Sequence, residues 1–322
     1  MSPSADTPSA GLRARIDRFQ DWWGALPANA RGSVWMILSS LTFAVMATGI
    51  KLLGQDLPVV EILFFRQMFV LLLVSPAIAR GFPSVLKTRR WPVHLTRSLL
   101  AFVAMTAGFT ALVHLPLAEA TAISFARTLF TTILAIVFLH EVVGWRRWSA
   151  TLVGFLGVVI VARPSPGHLS EYALLALLSA AFVAALQIAL RSLARTERPL
   201  TIMTYQNVSL SILLVGPTIY LWVTPTLEQL CFLAGIGAFM SVVQWTMIKA
   251  YGVGDASAIA PMEYGRLLFA AIAGVLVFSE YPTIHTWIGA ALIIGSTLYT
   301  LRRNARRQAT AEPAAEPKLP GS

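Results

Sequence analysis

Apolar runs of roughly 20 residues, the length that an α-helix needs to cross a bilayer, follow one another along most of the chain. Only 12% of its 322 residues are charged, whereas a soluble domain carries about 25%. The runs are continuous rather than alternating, which excludes a barrel and leaves helices as the structure that satisfies its backbone in lipid. The sequence predicts an all-α membrane protein with ten transmembrane helices. We place the spans at residues 33–53, 58–80, 92–114, 117–139, 147–164, 171–193, 199–223, 228–249, 256–279 and 284–301.

A duplication relates the two halves of the chain. Residues 111–148 align without a gap with residues 250–287, and this places Arg127 opposite Arg266. A repeat of five spans has an odd number of crossings, so the second copy is inverted relative to the first. Inverted repeats are typical of secondary transporters, with a substrate site near the midplane. The predicted units are a cytoplasmic tail at 1–32, a first five-helix repeat at 33–164, a second, inverted repeat at 171–303 and a disordered cytoplasmic tail at 304–322.

The basic residues predict the orientation of the chain. Nineteen of the 25 Lys and Arg residues fall in the two tails and in the connections after even-numbered spans, whereas Lys51 and Arg163 fall in the opposite connections. The positive-inside rule therefore places both termini in the cytoplasm, at a plasma membrane such as the bacterial inner membrane. The same pattern attributes the net charge of +10 to anionic membrane lipids rather than to nucleic acid. Trp22 and Trp23 fit an interfacial helix in the first tail.

The duplicated arginines lie inside apolar spans, where each costs about 3 kcal/mol or more. Arg127 and Arg266 could face one polar cavity and bind a carboxylate or phosphate group of a substrate. Alternatively, each neutralises a nearby glutamate or caps carbonyls of a broken helix. Glu263 lies one helical turn before Arg266, so it is either the counter-ion of that arginine or a proton-binding carboxylate. Pro261 lacks an amide hydrogen and is expected to loosen the ninth span.

Other polar side chains are predicted at a comparable depth in the membrane. Glu61 and Arg66 both lie in the second span, but their spacing puts them on different helix faces, so we expect separate partners. Glu61, near the outer end of the span, is predicted to be a gating or structural residue. Single glutamines inside membrane helices often serve helix-to-helix hydrogen bonds instead of binding a substrate. Together with the arginine pair and Glu263, the predicted substrate contacts are Arg66, Tyr205, Asn207, Gln244 and Trp245.

Two glutamates end the fourth and ninth spans, where a negative side chain opposes the helix dipole. Glu141 and Glu280 therefore need cationic or amide partners, and they are predicted to be structural staples or gate elements on opposite sides of the membrane. Arg146 and His285 follow them closely and are candidate partners. Glycines in the fifth and tenth spans mark faces for close helix contact, which could also join two subunits in a homodimer.

Two segments of the chain resemble the drug/metabolite transporter superfamily of the EamA type. The resemblance covers residues 33–303 and is carried by "PLAEATAISFARTLFTTILAIVFLHE" at 116–141 and its echo "APMEYGRLLFAAIAGVLVFSE" at 260–280. It implies ten helices in two inverted halves and movement of small organic solutes such as amino-acid derivatives or vitamins, often outward. The "RSLL" that opens span 3 and the "RRW" that opens span 5 resemble members linked to S-adenosylmethionine or riboflavin uptake.

Export of an anionic or zwitterionic metabolite is therefore the predicted function, and uptake of an S-adenosylmethionine-like or riboflavin-like compound is the alternative. No phosphate-binding loop for ATP and no metal-ligand spacing is present. We expect no cofactor, and a proton gradient is the predicted driving force. The Gly252–Asp255 sequence matches the GxGD pattern of intramembrane aspartyl proteases, but a second aspartate inside a span is missing. A turn and helix N-cap explain Asp255, and no enzyme activity is expected.

Overall fold

The structure, a computed structural model, describes residues 23–139, 145–162, 170–194, 196–254 and 259–311. Within these ranges the chain is helical and contains no β-strand. The first half comprises α1 (Ala28–Leu53), α2 (Val59–Gly81), α3 (Trp91–His114), α4 (Leu117–Ser124), α5 (Arg127–Leu139) and α6 (Trp145–Ala162). The second half comprises α7 (Glu171–Ala194), α8 (Pro199–Tyr220), α9 (Leu227–Val253), α10 (Gly265–Phe278) and α11 (Ile284–Ala311). The all-helical prediction is confirmed.

Eight segments in the described residues are long and apolar enough to cross a membrane, and 148–162 and 284–299 form shorter apolar helices. Several helices are preceded by a proline. The φ angle of proline is that of a helix, and an amide hydrogen at this position would have no helix carbonyl to bond. Pro27, Pro58 and Pro116 each precede the first helical residue. The α9 helix begins instead with a capping box, in which Thr226 and Gln229 bond each other's backbone.

Helices of the first half pack antiparallel against helices of the second. The Ser39 hydroxyl of α1 donates to the Val243 carbonyl of α9 over 3.1 Å, and that of Ser179 in α7 donates to the α3 carbonyl of Ala104 over 2.7 Å. In the same way α2 packs against α8 and α6 against α11. The largest buried apolar cluster spans α1, α4, α5 and α10, so the core lies where the two halves meet.

The structure corrects the prediction of a continuous helix over 117–139. This helix is interrupted by a turn at Phe125 and Ala126, and the ninth span begins as a 3₁₀ segment, Ala260–Tyr264, before α10. The two interruptions align in the duplication. Pro261 accounts for the second break. In the first, the side chains of Thr121 and Thr128 donate to carbonyls of the preceding turn, which offers these carbonyls partners other than helix amides.

The contact between α6 and α11 depends on glycine. A Cβ atom at Gly157 would lie 2.6 Å from the carbonyl oxygen of Gly289 and 2.9 Å from Cβ of Leu292, and these atoms cannot move without separating the helices. We expect Gly157→Ala to destabilise the protein by about 1–3 kcal/mol, measured as a lower thermal unfolding midpoint in detergent.

Gly295 of the same helix pair provides the matched control. A Cβ there meets no described atom within 4 Å, so Gly295→Ala should leave the midpoint unchanged or raise it slightly, because alanine favours helix. Equal midpoints for both variants would show that the close approach at Gly157 does not constrain the fold.

Candidate functional site

An ion cluster of Arg127, Glu263 and Arg266 lies at the two helix breaks. The carboxylate of Glu263 pairs with the guanidinium of Arg127, and its Oε1 lies 3.3 Å from Nη1 of Arg266. One carboxylate from the second half thus binds an arginine from each half. The position aligned with Glu263 in the first half is Ser124, whose hydroxyl donates to Thr121. The cluster therefore has two guanidinium groups and one carboxylate, with a formal charge of +1.

The breaks explain how the ion cluster is positioned. Arg127 is the first residue of α5 and Arg266 the second residue of α10, so both lie at amino ends of half-helices, where the helix dipole favours an anion. The Glu263 carboxylate supplies that anion. The Arg266 guanidinium also lies 4.4 Å from the ring centroid of Phe43 in α1, an arrangement that stabilises a cation.

A cavity of about 400 Å³, here called the arginine cavity, lies between α2, α3, α8 and α9. Its lining runs from the middle of the bundle, at Arg66 and Met105, towards the end where α3 begins, at Val74 and Arg97. The polar lining consists of Arg66, Gln67, Arg97, Gln206, Asn207, Ser241, Gln244 and Trp245.

Arg66 is a buried cation in this cavity, with 3% of its surface exposed. Its Nη2 lies 3.6 Å from the sulfur of Met105, a weak acceptor, and its guanidinium lies 5.1 Å from the Phe109 ring centroid. Nε of Arg66 and both Nε and Nη1 of Arg97 are buried without a partner in the described part of the chain. Two guanidinium groups therefore have free donors at one cavity.

Amide side chains complete the polar lining. Nε2 of Gln67 donates to Oδ1 of Asn207 over 2.6 Å and so joins α2 to α8, while Asn207 also donates to the Met203 carbonyl at 2.9 Å. Oε1 of Gln206 is a buried acceptor without a partner among the described residues. The side chains that line the cavity therefore include an acceptor as well as donors that have no partner among the described residues.

A second concavity, of about 430 Å³, lies along α1 and α9 and differs in chemistry. Its lining includes Val45, Phe232 and Phe239 and is almost entirely apolar. An apolar groove on the side of a membrane helix pair suits lipid acyl chains, so we do not assign a polar ligand to it.

The structure separates the predicted substrate contacts into two sites. Arg66, Asn207, Gln244 and Trp245 line the arginine cavity, whereas the three residues of the ion cluster are not among its lining residues in the described chain. Tyr205 lies elsewhere, because its hydroxyl donates to the Leu86 carbonyl over 2.9 Å and its ring stacks on His94. The arginine cavity therefore contains only some of the predicted contacts, and the roles of all of them in binding stay predictions.

As contacts of the cavity, sequence reasoning missed three polar lining residues, Gln67, Ser241 and Arg97. Arg97 lies near the start of α3, where a long basic side chain can reach the membrane surface, and nothing in its spacing distinguishes it from such a residue. Its half-buried side chain lines the cavity because α8 packs against α3. The sequence contains no signal for that packing.

The ion pair of Lys51 with Glu280 closes the opposite end of the bundle. Lys51 is buried at the end of α1, where its Nζ contacts Glu280 and the Leu115 carbonyl, and Oε2 of Glu280 accepts from the Leu117 amide at 2.9 Å. Three elements thus meet at one ion pair. The candidate partner His285 is not bonded to Glu280 in the described residues. Glu141 and Asp255 lie outside the described residues.

Glu61, at the same end, is 0% exposed. Its Oε2 accepts from the Val223 amide over 3.1 Å, and its Oε1 has no partner in the ranges that the structure describes. Glu61 and Arg66 therefore have separate surroundings on α2.

The chain is similar to known transporters over most of its length. The family model described as the EamA-like transporter family matches residues 30–163 and 171–302. An S-adenosylmethionine uptake transporter of Rickettsia bellii is 34% identical, with 86% of this chain and 95% of that protein covered. A riboflavin transporter of Brucella anthropi is 32% identical, covering 79% of this chain and 92% of its own. The pseudopaline exporter CntI of Pseudomonas aeruginosa is 29% identical, with 82% and 93% covered.

A solved structure, described as the crystal structure of a protein, aligns with 87% of this chain and 98% of its own at a TM-score of 0.57. At 19% identity this likeness concerns the fold alone.

Proposed function

This chain belongs to the EamA-like transporter family, and we propose that it takes up a small anionic or zwitterionic metabolite across the plasma membrane by alternating access. It acts as a carrier and not as an enzyme. The observation that carries this proposal is the arginine cavity with its unpartnered guanidinium donors. Buried donors without acceptors are costly, and a carboxylate or phosphate group would supply several acceptors at once.

The volume of the cavity and its remaining lining residues restrict the chemical class of the substrate further. A volume of about 400 Å³ lies within the range of about 300–1,000 Å³ that is usual for small-molecule sites. Trp245 offers an aromatic face to a ring or a cation, and Met105, Met203 and Met240 add adaptable, polarisable surface. These features favour a substrate with one acidic group and one flat or cationic part.

S-adenosylmethionine matches this description better than riboflavin does. It carries a carboxylate for Arg66 and Arg97, and an adenine ring and a sulfonium ion for Trp245 and the methionines. Riboflavin has a flat ring but no acidic group, so it would leave both guanidinium groups unpaired. We therefore propose an S-adenosylmethionine-like zwitterion as the first substrate to test.

Uptake is proposed in preference to export, although the sequence alone favoured export. The more similar relatives are named for uptake, and the relative named as an exporter is less similar. Export stays the second candidate, because that exporter is also covered nearly end to end. The direction of net transport under a fixed gradient distinguishes the two.

The proposed topology has ten spans in two inverted repeats and both termini in the cytoplasm. Its support is the aligned pair of helix breaks, each followed by an arginine, and the antiparallel pairing of the halves. In this orientation the arginine cavity lies in the cytoplasmic half, and the Lys51 pair with Glu280 closes the external side. The described conformation is then an inward-facing one. We also propose that membrane lipids are partners of the protein and that two copies form a homodimer.

Uptake of labelled S-adenosylmethionine into proteoliposomes tests this function. We expect saturable uptake that unlabelled S-adenosylmethionine abolishes and that an equal concentration of riboflavin inhibits weakly, because riboflavin lacks an acidic group. Protein-free liposomes provide the background. Uptake no higher than in protein-free liposomes, or complete inhibition by an equal concentration of riboflavin, would contradict the proposed substrate class, and net efflux against the gradient would favour export.

A further inference from the structure

Glu61 is the one buried acidic residue among those that the structure describes. Three partly buried carboxylates of the bundle have side-chain partners. Glu263 is paired with two arginines and Glu280 with Lys51, and Glu119 accepts from the Thr286 hydroxyl over 3.3 Å. Glu61 has instead a single backbone donor, the amide of Val223.

The charged and titratable groups on the elements around Glu61 are engaged elsewhere or exposed. Lys51 at the end of α1 binds Glu280, and His114 at the end of α3 stacks on Tyr172. The remaining groups at this end are exposed: Asp56 before α2, Tyr220 at the end of α8 and Glu228 at the start of α9. Arg66, on α2 itself, contacts Met105 and Phe109. Within the described residues no cation pairs with Glu61.

An ionised carboxylate in this position is costly, because it has lost water without gaining a cation. Binding of a proton removes the charge. A metal ion is a poorer fit, since hard cations take six or more oxygen ligands and Glu61 has a single free oxygen. The described residues also contain no cluster of His, Cys, Asp or Glu that could hold a metal ion.

Glu61 lies on α2 between the arginine cavity and the end of the bundle that the Lys51 pair with Glu280 closes. Residues 221–226 join α8 to α9 and place the Val223 amide over the start of α2, where the Thr218 hydroxyl also donates to the Val60 carbonyl at 3.4 Å. Arg66 lies on the same helix at the cavity. A movement that uncovers Glu61 therefore disturbs the contact between α8 and α2, the helix that carries Arg66.

We propose that Glu61 is the proton-binding site of this carrier, loaded from the external solution when the 221–226 connection opens and covered by that connection once its carboxyl group is neutral. This inference rests on the proposed transport function and its orientation. The carboxylate gains one proton from external water and releases it to cytoplasmic water by way of the arginine cavity, and no other group changes. The ion cluster at Glu263 then serves to join the halves.

Proteoliposomes with an internal pH two units above the external pH, and with the membrane potential clamped to zero, test the coupling. One proton per substrate across two pH units corresponds to an accumulation of about 100-fold. We expect this accumulation for the unmodified protein. Glu61→Gln should let S-adenosylmethionine reach equal concentrations on both sides of the membrane without accumulating it. Exchange of labelled for unlabelled substrate, measured without a gradient, reports whether the variant still folds and binds. Glu228→Gln, an exposed carboxylate at the same end, should accumulate like the unmodified protein.

Accumulation by Glu61→Gln equal to that of the unmodified protein would overturn the proposal, and so would a lack of any pH dependence in the unmodified protein.

A second measurement is independent of transport. Infrared difference spectra of the substrate-free protein in detergent, recorded across acidic and neutral pH, should contain a titrating carboxylic carbonyl band that is absent in Glu61→Gln and present in Glu228→Gln. If that band is found but no substrate exchanges, the transport proposal has failed and the proton site stands. If all three proteins give the same spectrum, Glu61 does not bind the proton.

Discussion

Replacement of Arg66 by glutamine is expected to lower the initial rate of S-adenosylmethionine uptake by roughly 100-fold, since the charge-assisted bonds of a buried guanidinium are worth about 3 kcal/mol. Arg66 has a thioether and an aromatic ring as neighbours. A bound carboxylate would be its first strong acceptor among the described groups. Glutamine keeps a polar donor of smaller size but has no charge and cannot form the bidentate pair.

Two further variants separate this role from effects on folding. Arg66→Lys keeps the charge without the planar fork, so we expect an intermediate loss of about 10-fold. Arg89→Gln removes an exposed arginine from the connection before α3 and should leave uptake unchanged. Normal uptake by Arg66→Gln, with the same amount of protein in the vesicles, would remove Arg66 from the binding site.

The second large effect is expected at Glu263. The variant Glu263→Gln leaves Arg127 and Arg266 together without their shared carboxylate. Breaking a buried ion pair from one side costs about 3–5 kcal/mol, because the remaining charge is uncompensated. All three side chains are at most 21% exposed, so water screens little of this cost. We expect the thermal unfolding midpoint in detergent to fall by at least about 5 °C, with loss of uptake.

A compensating change tests the electrostatic cause. Glu263→Gln combined with Arg127→Gln removes one cation along with the carboxylate and restores the formal charge of the cluster, so its midpoint should recover in part. Arg127→Gln alone and Arg266→Gln alone each leave Glu263 with one arginine, so we expect both variants to lose less stability than Glu263→Gln. A double variant less stable than Glu263→Gln would show that the cluster does not act through charge balance.

The two interior sites differ in how far they could be predicted. The duplication singled out Arg127 and Arg266, and helical spacing placed Glu263 beside Arg266, because contacts within one helix turn follow from sequence separation. The ion pair between Arg127 and Glu263 joins residues that are 136 positions apart. No periodicity predicts such a contact. It depends on the angle at which the two broken helices meet.

The ion pair of Lys51 is a second contact that the sequence did not predict. The position of Lys51 at the end of the first span predicted a charged residue beside the connection to the second span. The positive-inside rule only counts this charge and predicts no partner for it. In the structure it is 4% exposed and bound to a glutamate 229 positions away. The break at Phe125 and Ala126 was also missed, since neither glycine nor proline marks it, whereas Pro261 marked its counterpart.

By itself, the sequence determined that this protein is a bundle of membrane helices, where most of these helices begin and end, and which family it belongs to. Each of these follows from runs of apolar side chains and from short-range spacing, which the bilayer and the helix impose locally. Tertiary structure alone decided that Arg66 and Arg97 meet at one cavity, that one carboxylate serves both duplicated arginines, and that Glu61 is buried with no cation beside it in the part of the chain that the structure describes. The physical reason is that burial and pairing of charges depend on which helices pack together, and that packing is set by the whole chain.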